Sequence, residues 1–216
     1  MAYEDILYEK KDGVARITIN RAKTFNSFRS QTLAEMSEAL DDASADRTVG
    51  VIVLTGAGGK AFCSGGDIAE MRDLNKETGR AFLYQFLGLF LKIRSAPQPV
   101  IAAVDGYCLG GGNEINMVCD LTIASEKSIF GQVGPTVGSI PVLAATQHLP
   151  RNVGDKKAKE IIFLCQRYTA EQAREMGWIN RVVPDDKFEE EVATWCDRIL
   201  EMSPQSLRVA KLSLNF

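Results

Sequence analysis

The stretch that decides the fold is Gly106-Tyr-Cys-Leu-Gly-Gly-Gly-Asn-Glu114. Its three consecutive glycines stand between a strand-like apolar run, Pro99 to Val104, and a helix-like one, Glu114 to Val118. Glycine lets a backbone approach a ligand with no Cβ in the way. A helix N-terminus presents unpaired N–H groups that carry partial positive charge. Glu114 follows the glycines at once. The combination reads as an oxyanion site with a general acid/base beside it, which suits chemistry on a carbonyl compound.

A second glycine loop, Ala61-Phe-Cys-Ser-Gly-Gly-Asp67, stands downstream of another continuous apolar run, Val49 to Thr55, which reads as a buried strand. Ligands of α/β sheets bind beyond the carboxyl ends of strands. Two loops there can each aim one backbone N–H at a single oxygen and stabilise an enolate. The competing reading is a pair of tight turns using glycine for positive φ. Two loops at equivalent sheet positions, one carrying a carboxylate, weigh toward function. Gly56-Ala-Gly-Gly-Lys60 lacks the spacing of a Walker A loop, and Gly110–Glu114 lacks that of a dinucleotide fingerprint.

Each candidate side chain has a structural reading as well. A glutamate in a first helical turn is favoured by the helix dipole alone, so position leaves the role of Glu114 open. Asp67 and Asp120 fit loop turns or helix caps. His148 is the only histidine, and no Ser-His-Asp or Cys-His set is readable around it. The Phe and Leu stripe from Phe82 to Phe90 fits a core or subunit contact better than a cofactor site.

Further out, Val14 to Asn20 alternates apolar and polar as a half-buried strand does. Thr32 to Leu40 and Arg80 to Ile93 have helical spacing, and Asp120 to Ala124 reads as a third buried strand. Beyond Gly131 come helical patterns at Asp155–Leu164, Ala170–Met176, Asp186–Met202 and Pro204–Leu214, interrupted by a strand candidate at Ile179–Val183. This order predicts an α/β fold, with a core over 1–150 and a helical C-terminal region over 151–216.

The formal net charge of −3 argues against a nucleic-acid partner, which needs concentrated Lys and Arg. The five cysteines show no metal spacing, so no metal is expected, and reduced thiols are. No apolar run is long enough to span a bilayer, and MAYEDILYEK has no signal-peptide core. A cytoplasmic location with no membrane partner is the expectation.

At these residues the chain resembles the crotonase superfamily, the enoyl-CoA hydratase/isomerase family. The likeness runs through Val14–Arg21, Asn26-Ser-Phe28, Val51–Gly56, Lys60–Asp67, Gly106–Asp120, Phe130-Gly-Gln132, Gly138–Pro141 and Ala173–Pro184. It implies a crotonase-like spiral of ββα units with a helical C-terminal part, and a homotrimer or dimer of trimers. It implies an acyl-CoA thioester substrate and an enolate-like intermediate. No cofactor is implied beyond the coenzyme A carried by the substrate. The oxyanion-hole N–H groups would belong to Gly66 and Gly111, with Glu114 as the catalytic glutamate. Substrate and CoA contacts would come from Lys23, Phe25, Ala61, Phe62, Ser64, Gly65, Asp67, Ile68, Gly110, Gly134 and Ser139.

Departures from the pattern bear on the reaction. Hydratases of the family carry a second glutamate in "FGQPE", and here Gly134 stands in its place. Hydration uses two carboxylates to activate water and deliver a proton to carbon. The run Gly131-Gln-Val-Gly-Pro-Thr-Val-Gly-Ser139 is similar instead to the "GQxGPKxGS" of 1,4-dihydroxy-2-naphthoyl-CoA synthases and 2-oxocyclohexanecarboxyl-CoA hydrolases. Those enzymes have an apolar residue in place of Glu114, an aspartate in place of Pro141 and a glycine-rich run at 142–145. The resemblance thus implies a hydratase/isomerase-type reaction first. Ring opening or Dieckmann-type closure on an alicyclic or aromatic acyl-CoA comes second, and an inactive CoA-binding subunit third. Family members commonly continue some tens of residues beyond the point matching Phe216.

Overall fold

The computed structural model describes residues 3–141 and 143–215. Val142, which opens the 142–145 departure, and Phe216 lie outside them. Strands β1 (Ile6–Lys11), β2 (Val14–Ile19), β3 (Val51–Gly56), β5 (Val100–Val104), β7 (Leu121–Ser125) and β10 (Arg181–Val183) form one six-stranded sheet, adjacent in that order. β1 and β2 make an antiparallel hairpin and the rest pair in parallel. A second sheet has β4 (Ala61–Cys63), β6 (Tyr107–Leu109), β8 (Ile129–Gly131) and β9 (Arg167–Thr169). Each of β3, β5 and β7 is thus followed by a short strand of the second sheet and then by helix, which makes the expected spiral of ββα units.

The apolar runs form strands because both of their faces are covered. Ile52, Leu54, Ala102 and Val104 point into the main core, beside helix α1 (Ser30–Ala45) and helix α3 (Lys76–Ser95). Val51, Val53, Ile101 and Ala103 point the other way, onto helix α8 (Phe188–Leu200) through Phe188, Val192 and Cys196. β2 exposes alternate residues and buries Ala15, Ile17 and Ile19, as its period of two requires.

Helix α2 (Ile68–Arg72) follows the first glycine loop and helix α4 (Gly111–Val118) the second. α4 begins three residues earlier than its apolar pattern. It opens on Gly111, Gly112 and Asn113, so hydrophobic spacing cannot mark its start. Helices α5 (Ala145–Val153), α6 (Asp155–Leu164), α7 (Ala170–Glu175) and α9 (Pro204–Asn215) fill the C-terminal region, while β9 and β10 close the two sheets. α9 is held by Lys211, which donates to the carbonyls of Ile93 and Gln98 and pairs with Asp120 at 2.7 Å. That pairing, with the Val100 N–H bond to Asp120, gives this carboxylate a structural task.

The close approach of α4 to β4 rests on Gly112, where a Cβ would stand 2.2 Å from the Cys63 carbonyl oxygen. Backbone cannot yield to that contact cheaply. Gly112→Ala is expected to lower the urea-unfolding free energy by about 1–3 kcal/mol, the cost of overpacking.

Candidate active site

The two glycine loops follow β4 and β6, strands of the small sheet rather than of the large one. These strands are parallel neighbours, with Ala61 opposite Tyr107 and Cys63 opposite Cys108. Parallel neighbours end on the same side, so the loops meet. A Cβ on Gly65 would stand 3.2 Å from the Gly111 nitrogen. Gly65 has φ +104° and Gly110 has φ +53°, conformations an L side chain resists. The Phe28 ring lies under both loops, 2.7 Å from where a Cβ on Gly111 would be and 3.7 Å from one on Gly66.

Peptide planarity sets the direction of two amides. A trans peptide points its C=O and the following N–H in opposite directions. The Gly65 carbonyl accepts the Phe28 N–H at 2.9 Å, so the Gly66 N–H points away from Phe28. The Gly110 carbonyl accepts the Glu114 N–H at 3.0 Å, so the Gly111 N–H points out of the start of α4. Among the described residues, nothing accepts from either. The Gly110 N–H is spent on the Gly131 carbonyl at 2.9 Å, which ties the second loop to β8.

Both glycines border two adjoining cavities. One, of about 470 Å³, is lined by Ser64, Gly65, Gly66, Ile68, Gly110, Gly111, Gly134 and Ser139, among others. The other, of about 310 Å³, has Phe28, Leu74, Phe82, Leu83, Phe86 and Leu143 around Glu114, and shares Gly66, Gly111 and Ser139. A shallow hollow between Phe25, Tyr107 and Arg167 continues the groove past Ser64.

Glu114 is 4 % exposed, and its Oε1 accepts the N–H groups of Ala144 at 3.0 Å and Ala145 at 3.1 Å. It therefore caps α5, whose own N-cap residue, Ala144, offers no side-chain acceptor. Oε2 is the oxygen with capacity to spare. Burial pushes the carboxyl up, the amides of Ala144, Ala145 and Leu143 pull it partly back, and the result lies above the ordinary glutamate value. Among the described residues, Glu114 is the only carboxylate lining either cavity.

Of the residues singled out in the sequence, Gly66, Gly111, Glu114, Ser64, Gly65, Ile68, Gly110, Gly134 and Ser139 come together here. Phe25 stands at the outer hollow. Ala61 and Phe62 are buried, and Lys23 is exposed on the 3-10 turn Ala22–Thr24. Asp67 caps α2, with Oδ1 accepting the Ala69 N–H at 3.0 Å, and its other oxygen pairs with Arg21. At Gly134 a Cβ would stand 3.2 Å from the Ser139 carbonyl oxygen, so that direction is nearly closed. Cys63 lies behind the first loop, its sulfur 3.4 Å from the Gly65 nitrogen. His148 is half-buried elsewhere, and burial with Arg94 and Arg151 lowers its pKa.

The Phe82 and Phe86 stripe does two jobs, packing on the core and walling the cavity at Glu114. Helical periodicity marks such a stripe as buried but not the space it faces. Phe28, Met71, Leu74 and Leu143 carry no sequence signal for this role beyond being apolar.

A family model described as enoyl-CoA hydratase/isomerase matches residues 9–216. The chain belongs to that family. It is an enzyme family, and solved members share the fold closely. An enoyl-CoA hydratase from Bacillus anthracis is 34% identical, with a TM-score of 0.94 over 98% of this chain and 82% of its own. An enoyl-CoA hydratase/carnitine racemase from Magnetospirillum magneticum is 31% identical, with a TM-score of 0.93 over 99% and 80%. DspI of Pseudomonas aeruginosa is 28% identical, with a TM-score of 0.92 over 98% and 80%. No helix among the described residues is long and apolar enough to cross a membrane.

A raised carboxyl pKa has a sign that can be tested on stability. The protonated form is favoured by folding, so the contribution is fully present below the unfolded pKa and is lost as pH rises through the folded one. Glu114→Gln keeps an oxygen for both amides and carries no charge. Urea titrations should show the variant at least as stable as the parent at neutral pH, with the parent catching up as the solution is acidified.

Proposed function

We propose that this protein moves a proton on an acyl-CoA thioester, as an isomerase or hydratase-type enzyme with one catalytic carboxylate. The observation that carries this reading is the convergence of the Gly66 N–H, the Gly111 N–H and Glu114 on one cleft. A thioester oxygen between the two amides would gain negative charge as the α-proton leaves, and fixed donors favour that charge. Glu114 takes the proton from one carbon and returns it to another. A carboxylate whose pKa is raised by burial is suited to both halves of that exchange.

Hydration asks for a second acid/base, and Gly134 offers none. This favours a 1,3-proton shift in an enoyl thioester over water addition. The second reading is bond cleavage or closure in a ring-bearing acyl group. The cavity beside Glu114 supports it: about 310 Å³, walled by Phe28, Phe82 and Phe86. An apolar cavity of roughly half that volume, about 150 Å³, holds benzene.

A panel of β,γ-enoyl-CoA, crotonyl-CoA and 2-oxocyclohexanecarboxyl-CoA separates the readings, with the mass-neutral isomerisation followed by the absorbance of the conjugated enoyl thioester and water addition or ring opening by mass spectrometry. Isomerisation should lead, and efficient hydration of crotonyl-CoA would contradict the argument from Gly134. Glu114→Gln should lower kcat by about 10²- to 10⁴-fold with CoA-ester binding little changed. Undiminished turnover in that variant would remove Glu114 from the mechanism, and no turnover of any ester by the parent would favour a binding subunit.

A further inference from the structure

Outside the cleft, one charged cluster touches the first glycine loop from behind. Arg21 follows β2, and its side chain is 15 % exposed. Its Nη2 donates to Asp67 Oδ2 at 3.0 Å, and its Nη1 donates to the Ser27 carbonyl oxygen. Its Nε lies 3.6 Å from Asp5, a carboxylate that also takes Arg29 Nε at 2.8 Å and the Thr32 hydroxyl at 2.6 Å. One planar guanidinium therefore spans two segments, 27–28 and 67, and is anchored on a third.

Those two segments grip the peptide that carries the Gly66 amide. The Phe28 N–H holds the Gly65 carbonyl at 2.9 Å, and the Asp67 N–H donates to the Phe28 carbonyl at 2.8 Å. Gly65 and Gly66 have no side chains of their own to lock them. Their direction depends on how firmly 27–28 stays against 67. Burial pushes the Asp67 carboxyl up, but the Arg21 hydrogen bond and charge, with the Glu70 and Ala69 amides, outweigh it and hold the group ionised.

Resting on the oxyanion role proposed for Gly66, we propose that Arg21 is a positioning residue for that role. By clasping the Ser27 carbonyl and the Asp67 carboxylate together, it sets the direction of the Gly66 N–H. It touches neither cavity. Its removal should therefore misaim a donor without emptying the binding groove. A lysine in its place carries its donors on a single nitrogen and lacks the planar fork, so it should hold the Ser27 carbonyl and the Asp67 carboxylate together less well.

The test uses Arg21→Ala, Arg21→Lys and Asp67→Asn, the last keeping a good helix cap while removing the charge. The readout is the absorption of a bound thioester with a conjugated acyl chromophore, which shifts to the red when two donors polarise its carbonyl. The parent should show the shift and all three variants should lose most of it. With a turned-over substrate, kcat should fall by about 10- to 100-fold, the scale of a small misplacement. KM should stay within about threefold of the parent. Arg21→Ala combined with Asp67→Asn should be no worse than the weaker single variant, since both break one clasp. Millimolar guanidinium should partly restore Arg21→Ala.

Folded variants with the full red shift and unchanged kcat would overturn the proposal. So would a loss confined to KM, which would make the pair a binding element, or unfolding of every variant, which would make it a pillar of the fold. A parent with no red shift sinks the oxyanion reading and this proposal with it. A parent red shift that depends on Arg21, in an enzyme indifferent to Glu114→Gln, leaves the positioning role standing and removes only the assigned base.

Discussion

The parallel pairing of β4 with β6 is the constraint on which the rest depends. It brings two backbone turns so close that a single methyl on Gly65 would press on the Gly111 nitrogen. Gly112 lets α4 approach the Cys63 carbonyl, and the Phe28 ring fills the space below. Among the described residues, nothing accepts from the Gly66 and Gly111 amides. Unpaired N–H groups cost free energy when buried without water, so such a pair persists only on a cleft that solvent or ligand can reach.

Glu114 sits where two helices need it. It belongs to the first turn of α4, where a negative charge meets the positive end of the dipole, and it caps α5 from a distance of thirty residues in sequence. The same two amides that fix the carboxylate also keep it from becoming as weak an acid as its burial alone would make it. Orientation and acidity are thus set together, by the start of a helix that the sequence places far from the glycine run.

Much of the fold is legible in the chain, and the boundary of legibility has a physical cause. β3 and β5 announce themselves as continuous apolar runs because both of their faces are covered. β4, β6, β8 and β9 have three residues each, too few to show a period; the first three follow parallel strands of the large sheet, and β9 follows α6 to pair antiparallel with β8. The glycine loops, Glu114 and Gly134 are readable because few tasks call for those residues in that order. Asn26 is harder to read: its side chain bonds the Ala57 and Ala61 carbonyls, and both it and Phe25 adopt positive φ. Arg21 is likewise silent in sequence, since an arginine after a strand is ordinary until Ser27, Asp67 and Asp5 are seen around it.

Cys63 shows what the tight packing behind the first loop means for selectivity. Its sulfur lies within hydrogen-bonding distance of Gly65, one residue from an amide on the cleft. A thiolate there could capture the acyl group of a passing thioester by exchange, since thiolates rather than thiols are the attacking species. Burial pushes this thiol to about 12. The sulfur therefore stays a thiol at neutral pH, and under the proposed reaction an activated acyl group would rest a few atoms away without being lost to it.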